Sequence, residues 1–201
     1  MPPEYVITHA APKDLAALAN IELRAATRFH GWEVPPHVFA EATPLAILES
    51  ALARGHLWVA LAPTGECVGS ARVERSGERL HLEQLDVLPE HGGRGLGRAL
   101  VGAIERWASE NGVVELTLTT YRDVPWNAPF YTRLGFTIIE TAELDADLAA
   151  RRSRDRAGHG LDAPRRLGQA AEPTNKRIEL IGRGAMLLIR APRANSSCAP
   201  R

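Results

Sequence analysis

Apolar residues along the first 140 positions of this chain change their spacing repeatedly, and each change predicts a new element. Tyr5 to Thr8 reads as a short strand. Pro12 then opens a helix with Leu15, Leu18 and Ala19 on one face and Asp14 in its first turn. Residues 28–44, with Trp32, His30, His37 and three prolines, predict a long loop or broken helix that either walls a substrate pocket or covers a core edge. Leu57 to Ala62, Cys67 to Glu74 and Leu80 to Val87 read as strands joined by turns at Pro63 to Gly65 and at Ser76 and Gly77, an antiparallel meander. Leu96, Leu100, Ile104, Trp107 and Ala108 recur at helical spacing, and Asn111 and Gly112 stop a helix that runs from about residue 95 to 111. Val114 to Thr120 is the next alternating strand, so residues 80–120 form a βαβ crossover inside an otherwise antiparallel sheet. A short helix at 127–134 and a strand at Phe136 to Glu140 follow.

Beyond Leu148 the periodicity weakens. Residues 148–158 fit a basic amphipathic helix, 160–175 are polar and turn-rich, and Ile178 to Ile181 with Ala185 to Ile189 fit a late hairpin or one last sheet strand. The chain is therefore expected to divide into a domain over 1–145 and a C-terminal extension over 146–201, partly helical and partly disordered, that can supply that strand. With 201 residues, 45% of them hydrophobic, it is long enough for one sizeable core. A formal net charge of zero removes the electrostatic footprint of a nucleic-acid or membrane-surface partner. Two cysteines far apart, with no CxxC pair, indicate neither a disulfide framework nor a metal site, and Cys67 reads as a small core residue. Met1 to His9 lacks a basic segment backed by an apolar run, and no stretch approaches the ~20 apolar residues of a membrane span. The expected location is the cytoplasm.

Two local features carry chemistry. Along the strand from Leu80, the apolar positions are Leu80 and Leu82, then Leu85 and Val87, and this switch of parity marks a β-bulge. A bulge leaves backbone groups open to an extended ligand, although a purely structural bulge gives the same pattern. Shortly after it comes His91-Gly92-Gly93-Arg94-Gly95-Leu96-Gly97-Arg98, running straight into the amphipathic helix. Glycines let several N–H groups approach one anion, and a helix start adds partial positive charge, so this loop suits phosphate or pyrophosphate. The alternative is a flexible turn with a glycine cap, and Arg94 and Arg98 either clamp phosphate oxygens or face solvent. A dinucleotide fold would place such a loop after the first strand of a parallel sheet, with an acidic residue ~20 positions on. Here it follows the fourth strand of a meander, and the nicotinamide and flavin readings fall.

These residues resemble the GNAT superfamily of N-acetyltransferases. Its cofactor motif, Q/R-x-x-G-x-G/A, is matched by Gly92 to Gly97, with Gly92 in place of glutamine or arginine. A second segment, Asn127-Ala128-Pro129-Phe130-Tyr131 followed by Arg133-Leu134-Gly135-Phe136, is similar to the family's N-x-x-x-Y-x-x-x-G-F. The resemblance covers roughly residues 4–140. It implies an α/β (α+β) fold: a mixed, mainly antiparallel sheet of six or seven strands flanked by about four helices, with a βαβ cofactor-binding unit. It also implies a V-shaped opening between the fourth and fifth strands for the pantetheine arm, acetyl-CoA as co-substrate without a metal, and direct transfer to a primary amine. A non-catalytic acyl-CoA-binding module is the alternative function.

The resemblance further places Tyr131 where the family keeps its general acid, a phenol of ordinary pKa ~10, unless the ring merely packs. Glu83, at the bulge, stands where some members keep a carboxylate base, unless it lies on the solvent face. Leu85, Asp86 and Val87 are assigned to the cofactor through main-chain groups, with Asp86 offering only its backbone and the Val87 N–H polarising the thioester carbonyl. Gly92, Gly93, Arg94, Gly95, Leu96, Gly97 and Arg98 take the pyrophosphate. Asn127 is expected to cap its helix and, by the resemblance, to touch the cofactor. Trp32, Tyr121, Arg122 and Trp126 stand near the acceptor, a small-molecule or peptide amine. The assembly, a homodimer included, stays open.

Overall fold

Pro12 fixes the backbone entering the first helix, and the Asp14 carboxylate accepts the Ala11 N–H at 2.8 Å, so the chain turns sharply after its first strand. In this computed structural model, which describes residues 4–121, 123–139 and 186–190 with isolated positions between 146 and 153, that strand is β1 (Val6–His9). Tyr5, expected to begin it, lies instead in the core, its hydroxyl 2.8 Å from His91 Nδ1. Helix α1 (Leu15–Ala26) buries Leu15, Leu18, Ile21 and Ala25, one stripe at helical spacing. The proline-rich stretch after it forms two short 3-10 turns, Thr27–Phe29 and Pro36–Phe39, within an irregular loop.

Helix α2 (Leu45–Ala53) was not legible in the sequence: apolar residues ring it on all sides and only Leu48 and Ala51 are buried, so no single stripe marks it out. The meander follows as β2 (Leu57–Leu61), β3 (Cys67–Ser76) and β4 (Arg79–Val87). Then come α3 (Leu96–Glu110), β5 (Glu115–Tyr121), α4 (Asn127–Thr132) and β6 (Thr137–Ile138). Phe136, expected in that last strand, is a core residue just before it. The late strand expected over Ala185 to Ile189 is β7 (Met186–Arg190). Its expected hairpin partner at 178–181, and most of the helix expected at 148–158, lie outside the described residues.

The strands form one sheet in the order β1-β2-β3-β4-β5-β7-β6, antiparallel throughout except for the parallel β4–β5 pair across α3. This is the mixed, mainly antiparallel α/β architecture with a βαβ unit that the motifs implied. Consecutive residues Leu57, Trp58, Val59 and Ala60 are all buried, which an alternating strand allows only when both sheet faces are covered. Helix α1 packs on β3 and β4 and α2 on β2 and β3, while Trp107 of α3 meets Trp58 edge-on at 5.8 Å. The centre of the core is the α3 stripe Leu96, Leu100 and Ile104 against Leu80 and Leu118, each worth about 1.5–3 kcal/mol of burial. No helix among the described residues is long and apolar enough to cross a membrane.

Two details of β4 prepare the site. Arg72 faces Gln84 but Val73 faces Leu82, so Glu83 is the extra residue of the bulge read from the apolar parity. Pairing with β5 runs from Arg79↔Glu115 to Leu82↔Leu118 and goes no further, while β5 continues alongside β7 through Tyr121. The two strands therefore part at the bulge, and residues 83–87 border an opening. Gly69 on β3 holds the other edge close: a Cβ there would sit 2.8 Å from the Asp86 carbonyl oxygen.

Candidate active site

Backbone amides converge beyond the end of β4. The Leu88 N–H bonds the Val68 carbonyl at 2.9 Å and closes the strand, a 3-10 turn spans Pro89–His91, and the Gly92 N–H returns to the Pro89 carbonyl at 3.0 Å. Gly93 and Gly95 then adopt left-handed backbone at φ 70° and 79°, which other residues enter only with strain. The first helical bond of α3 runs from Ala99 N–H to Gly95 O at 3.0 Å, so the amides of Leu96, Gly97 and Arg98 precede the ladder and share the positive end of the helix dipole. A Cβ on Gly97 would meet the Phe130 ring at 3.3 Å, which shows how tightly α4 lies on this turn. The Arg94 and Arg98 side chains are exposed beside it, and Arg24 pairs with Glu90 at 2.6 Å to tie α1 to the preceding turn.

The opening between β4 and β5 continues this track inward. Antiparallel strands alternate hydrogen-bonded and non-bonded residue pairs, and Leu88 with Val68 is a bonded pair. Val87 and Leu85 therefore turn their N–H groups toward the side that β5 has left, with their half-buried side chains on the α3 face. Asp86 and Gln84 point to the opposite face, toward α1.

On that face lies a cavity of about 440 Å³. Its floor is His81, Glu83, Gln84 and Asp86 of β4 with Thr119 to Tyr121 of β5. Glu22 of α1, Phe29, Glu41 and Thr43 form the wall, and Asn127 and Tyr131 of α4 close the end nearest the glycine turn. The irregular loop is thus a pocket wall, one of its two expected roles. It is held by Glu22, whose carboxylate accepts the Thr43 N–H at 2.8 Å and the Thr43 hydroxyl at 3.2 Å.

The structure brings the two expected catalytic side chains, Tyr131 and Glu83, to one cavity, and adds a third group. Asp86, expected to offer only its backbone, presents its carboxyl to the same space because strand alternation sets it opposite Leu85 and Val87. Burial pushes that carboxyl up to about 7 and the Glu22 charge acts the same way, against the Gln84 amide, which donates to it at 2.8 Å, and the charge of Arg72. Burial, with the Asp86 charge, also holds the Tyr131 phenol well above its ordinary range.

Asn127 does not cap its helix. Trp126 occupies the cap without a side-chain hydrogen bond, and Asn127 takes the first helical position and faces the cavity. His81 was missed in the sequence. It is buried where the strands part, Nδ1 2.8 Å from the Thr117 hydroxyl and Nε2 3.4 Å from that of Thr119. Polar residues at facing interior positions of two apolar strands were the available signal.

Of the expected acceptor residues, Tyr121 lines the cavity and meets Phe29 at 5.6 Å, whereas Trp126 packs outside against Trp32 at 5.4 Å with the Arg28 guanidinium over it. Arg122 lies outside the described residues. Among the described residues, no cluster of histidine, cysteine, aspartate and glutamate could hold a metal ion.

Residues 21–136 match the model of the acetyltransferase (GNAT) family. The fold is similar to that of the PaiA N-acetyltransferase from Thermoplasma acidophilum, solved with coenzyme A, at a TM-score of 0.62 and 18% identity over 68% of this chain and 92% of that one. It is also similar to the ribosomal-protein-S18-alanine N-acetyltransferase from Escherichia coli, at 0.59 and 18% over 97% and 99% of the two chains. A third likeness is to Rv2747 from Mycobacterium tuberculosis, solved with CoA, at 0.55 and 21% over 74% and 81%. At these identities the likeness is one of fold.

Proposed function

The chain belongs to the GNAT acetyltransferase family, and from that premise we propose that it transfers the acetyl group of acetyl-CoA directly to a primary amine. The observation that carries this reading is succession: the edge of β4 that β5 has left borders the cavity at Asp86 and Tyr131, and the backbone leads from it through the glycine turn to the amides at the start of α3, which gives a path along the chain. An extended ligand with a pyrophosphate at one end and a thioester at the other suits that path.

In this reading the amides of Leu96, Gly97 and Arg98, with the left-handed turn at Gly93 and Gly95, hold the pyrophosphate. Gly92 and the exposed Arg94 and Arg98 border it. Leu85, Asp86 and Val87 flank the pantetheine arm, and the Val87 N–H donates to the thioester carbonyl oxygen as it gains charge. Asn127 touches the arm from the side of α4. The acceptor enters on the α1 face as an ammonium ion and gives its proton to a carboxylate, for which Asp86 and Glu83 are placed. A carboxyl at about 7 accepts that proton near neutral pH better than an ordinary one. The new C–N bond forms, the C–S bond breaks, and the Tyr131 hydroxyl donates a hydrogen bond to the departing sulfur. Because its proton is held tightly, Tyr131 stabilises the thiolate by that bond, and solvent or the carboxylate returns the full proton.

We further propose that residues 1–145 form the catalytic domain and that the extension over 146–201 serves it by supplying β7. The reading is tested by following free thiol released from acetyl-CoA with a panel of primary amines. Amine-dependent release, with the acetylated amine seen by mass spectrometry, is expected. Tight acetyl-CoA binding with no acceptor in any class would instead favour a binding module.

A further inference from the structure

Among the described residues, the formal charges that line the cavity are all of one sign. Glu22, Glu41, Glu83 and Asp86 contribute carboxyl groups, and among the described residues no lysine or arginine lines it. Its basic rings are His37 and His81, and His81 already has threonine hydroxyls at both nitrogens. Arg72 acts on Asp86 from β3 but is buried and does not line the space. Glu22 is fixed before any ligand arrives, since the buried Thr43 donates to both its oxygens. Phe29 and Tyr121 add aromatic rings to the lining, and an aromatic ring attracts a cation.

This lining sets a problem for the reaction. The attacking nitrogen must become neutral, yet surrounding carboxylates favour its protonated form. A monoamine satisfies the pocket only while it is unreactive. An acceptor with a second amine escapes the conflict, because one end stays protonated against the carboxylates while the other loses its proton to the base. Asp86 and Glu83 on β4 border the opening where the thioester is placed, whereas Glu22 and Glu41 lie on the facing wall. Resting on the acyl-transfer reading for its first half, we propose that the acceptor is a small aliphatic diamine or polyamine, its distal ammonium held by Glu22 and Glu41, and that amines bearing a carboxylate are rejected. A cavity of about 440 Å³ is of the right size for such a molecule.

The test is calorimetric binding to the full chain saturated with CoA, using diaminobutane, butylamine and γ-aminobutanoate, so that length is constant and only the distal group changes. Diaminobutane is expected to bind at least about tenfold more tightly than butylamine, with γ-aminobutanoate weakest. In Glu22→Gln, whose amide oxygen still accepts from Thr43, and in the exposed Glu41→Gln, that preference should shrink severalfold. Equal or tighter binding of γ-aminobutanoate, or a diamine preference unchanged in both variants, overturns the assignment. Thiol release from acetyl-CoA is measured in parallel: a diamine preference without acetylation sinks the transfer reading and leaves the charge assignment standing.

Discussion

Replacing Tyr131 with phenylalanine is expected to lower kcat by about 100-fold, within the range for loss of a positioned proton or hydrogen-bond donor. The ring lies 5.0 Å from Phe130 and 5.8 Å from Phe136, both edge-on, and phenylalanine keeps that packing, so the fold and acetyl-CoA affinity should hardly change. What is lost is the hydroxyl at the end of the cavity. Since burial and the Asp86 charge keep the phenol protonated, the wild-type donor stays available across neutral and mildly alkaline pH. Steady-state kinetics at saturating acetyl-CoA, with binding measured separately, checks this. A variant within twofold of wild type would make Tyr131 a packing residue and remove it from the mechanism.

Asp86→Asn is expected to reduce kcat/KM by about 100-fold at pH 8 and to abolish a rise in rate centred near pH 7. The sign follows from the carboxyl: in the folded protein it ionises at about 7 against an ordinary 3.8, so the base is mostly protonated below 7 and active above it. Stability runs the other way. A carboxyl raised on folding gives its full stabilising contribution below its unfolded value and loses it as pH rises through its folded one, from about 4 to about 7. The neutral variant is exempt from this cost. Its Tm should therefore exceed that of wild type at pH 8, with the gap narrowing toward pH 4. A variant that keeps the rate limb near pH 7 would shift the base to Glu83, half-buried at the bulge of the same strand.

How much of this was legible in the sequence depends on the range of the interaction. The bulge was readable because strand alternation has a period of two, and one inserted residue, Glu83, shifts Leu85 and Val87 out of phase with Leu80 and Leu82. The glycine turn was readable because left-handed backbone at Gly93 and Gly95 is a local requirement. Helix α2 was not, since an apolar ring gives no stripe. Nor was the role of the Asp86 carboxyl: its side-chain direction follows from its neighbours, but its raised pKa comes first from burial and then from the Glu22 charge, both of which only the fold supplies. The Asn127 cap failed for a related reason, as the helix begins one residue earlier than local capping preference suggests and the side chain turns to the cavity.

Calorimetric titration with acetyl-CoA, of the wild type beside Gly95→Glu, tests the central claim most directly. An added Cβ at Gly95 meets nothing within 4 Å, so the variant loses about 1–2 kcal/mol to left-handed strain but places a carboxylate where the pyrophosphate is assigned. Stoichiometric binding by the wild type and none by a variant that circular dichroism shows to be folded is the predicted result. No binding by the wild type, or equal binding by both, would contradict the placement of the cofactor on residues 92–97.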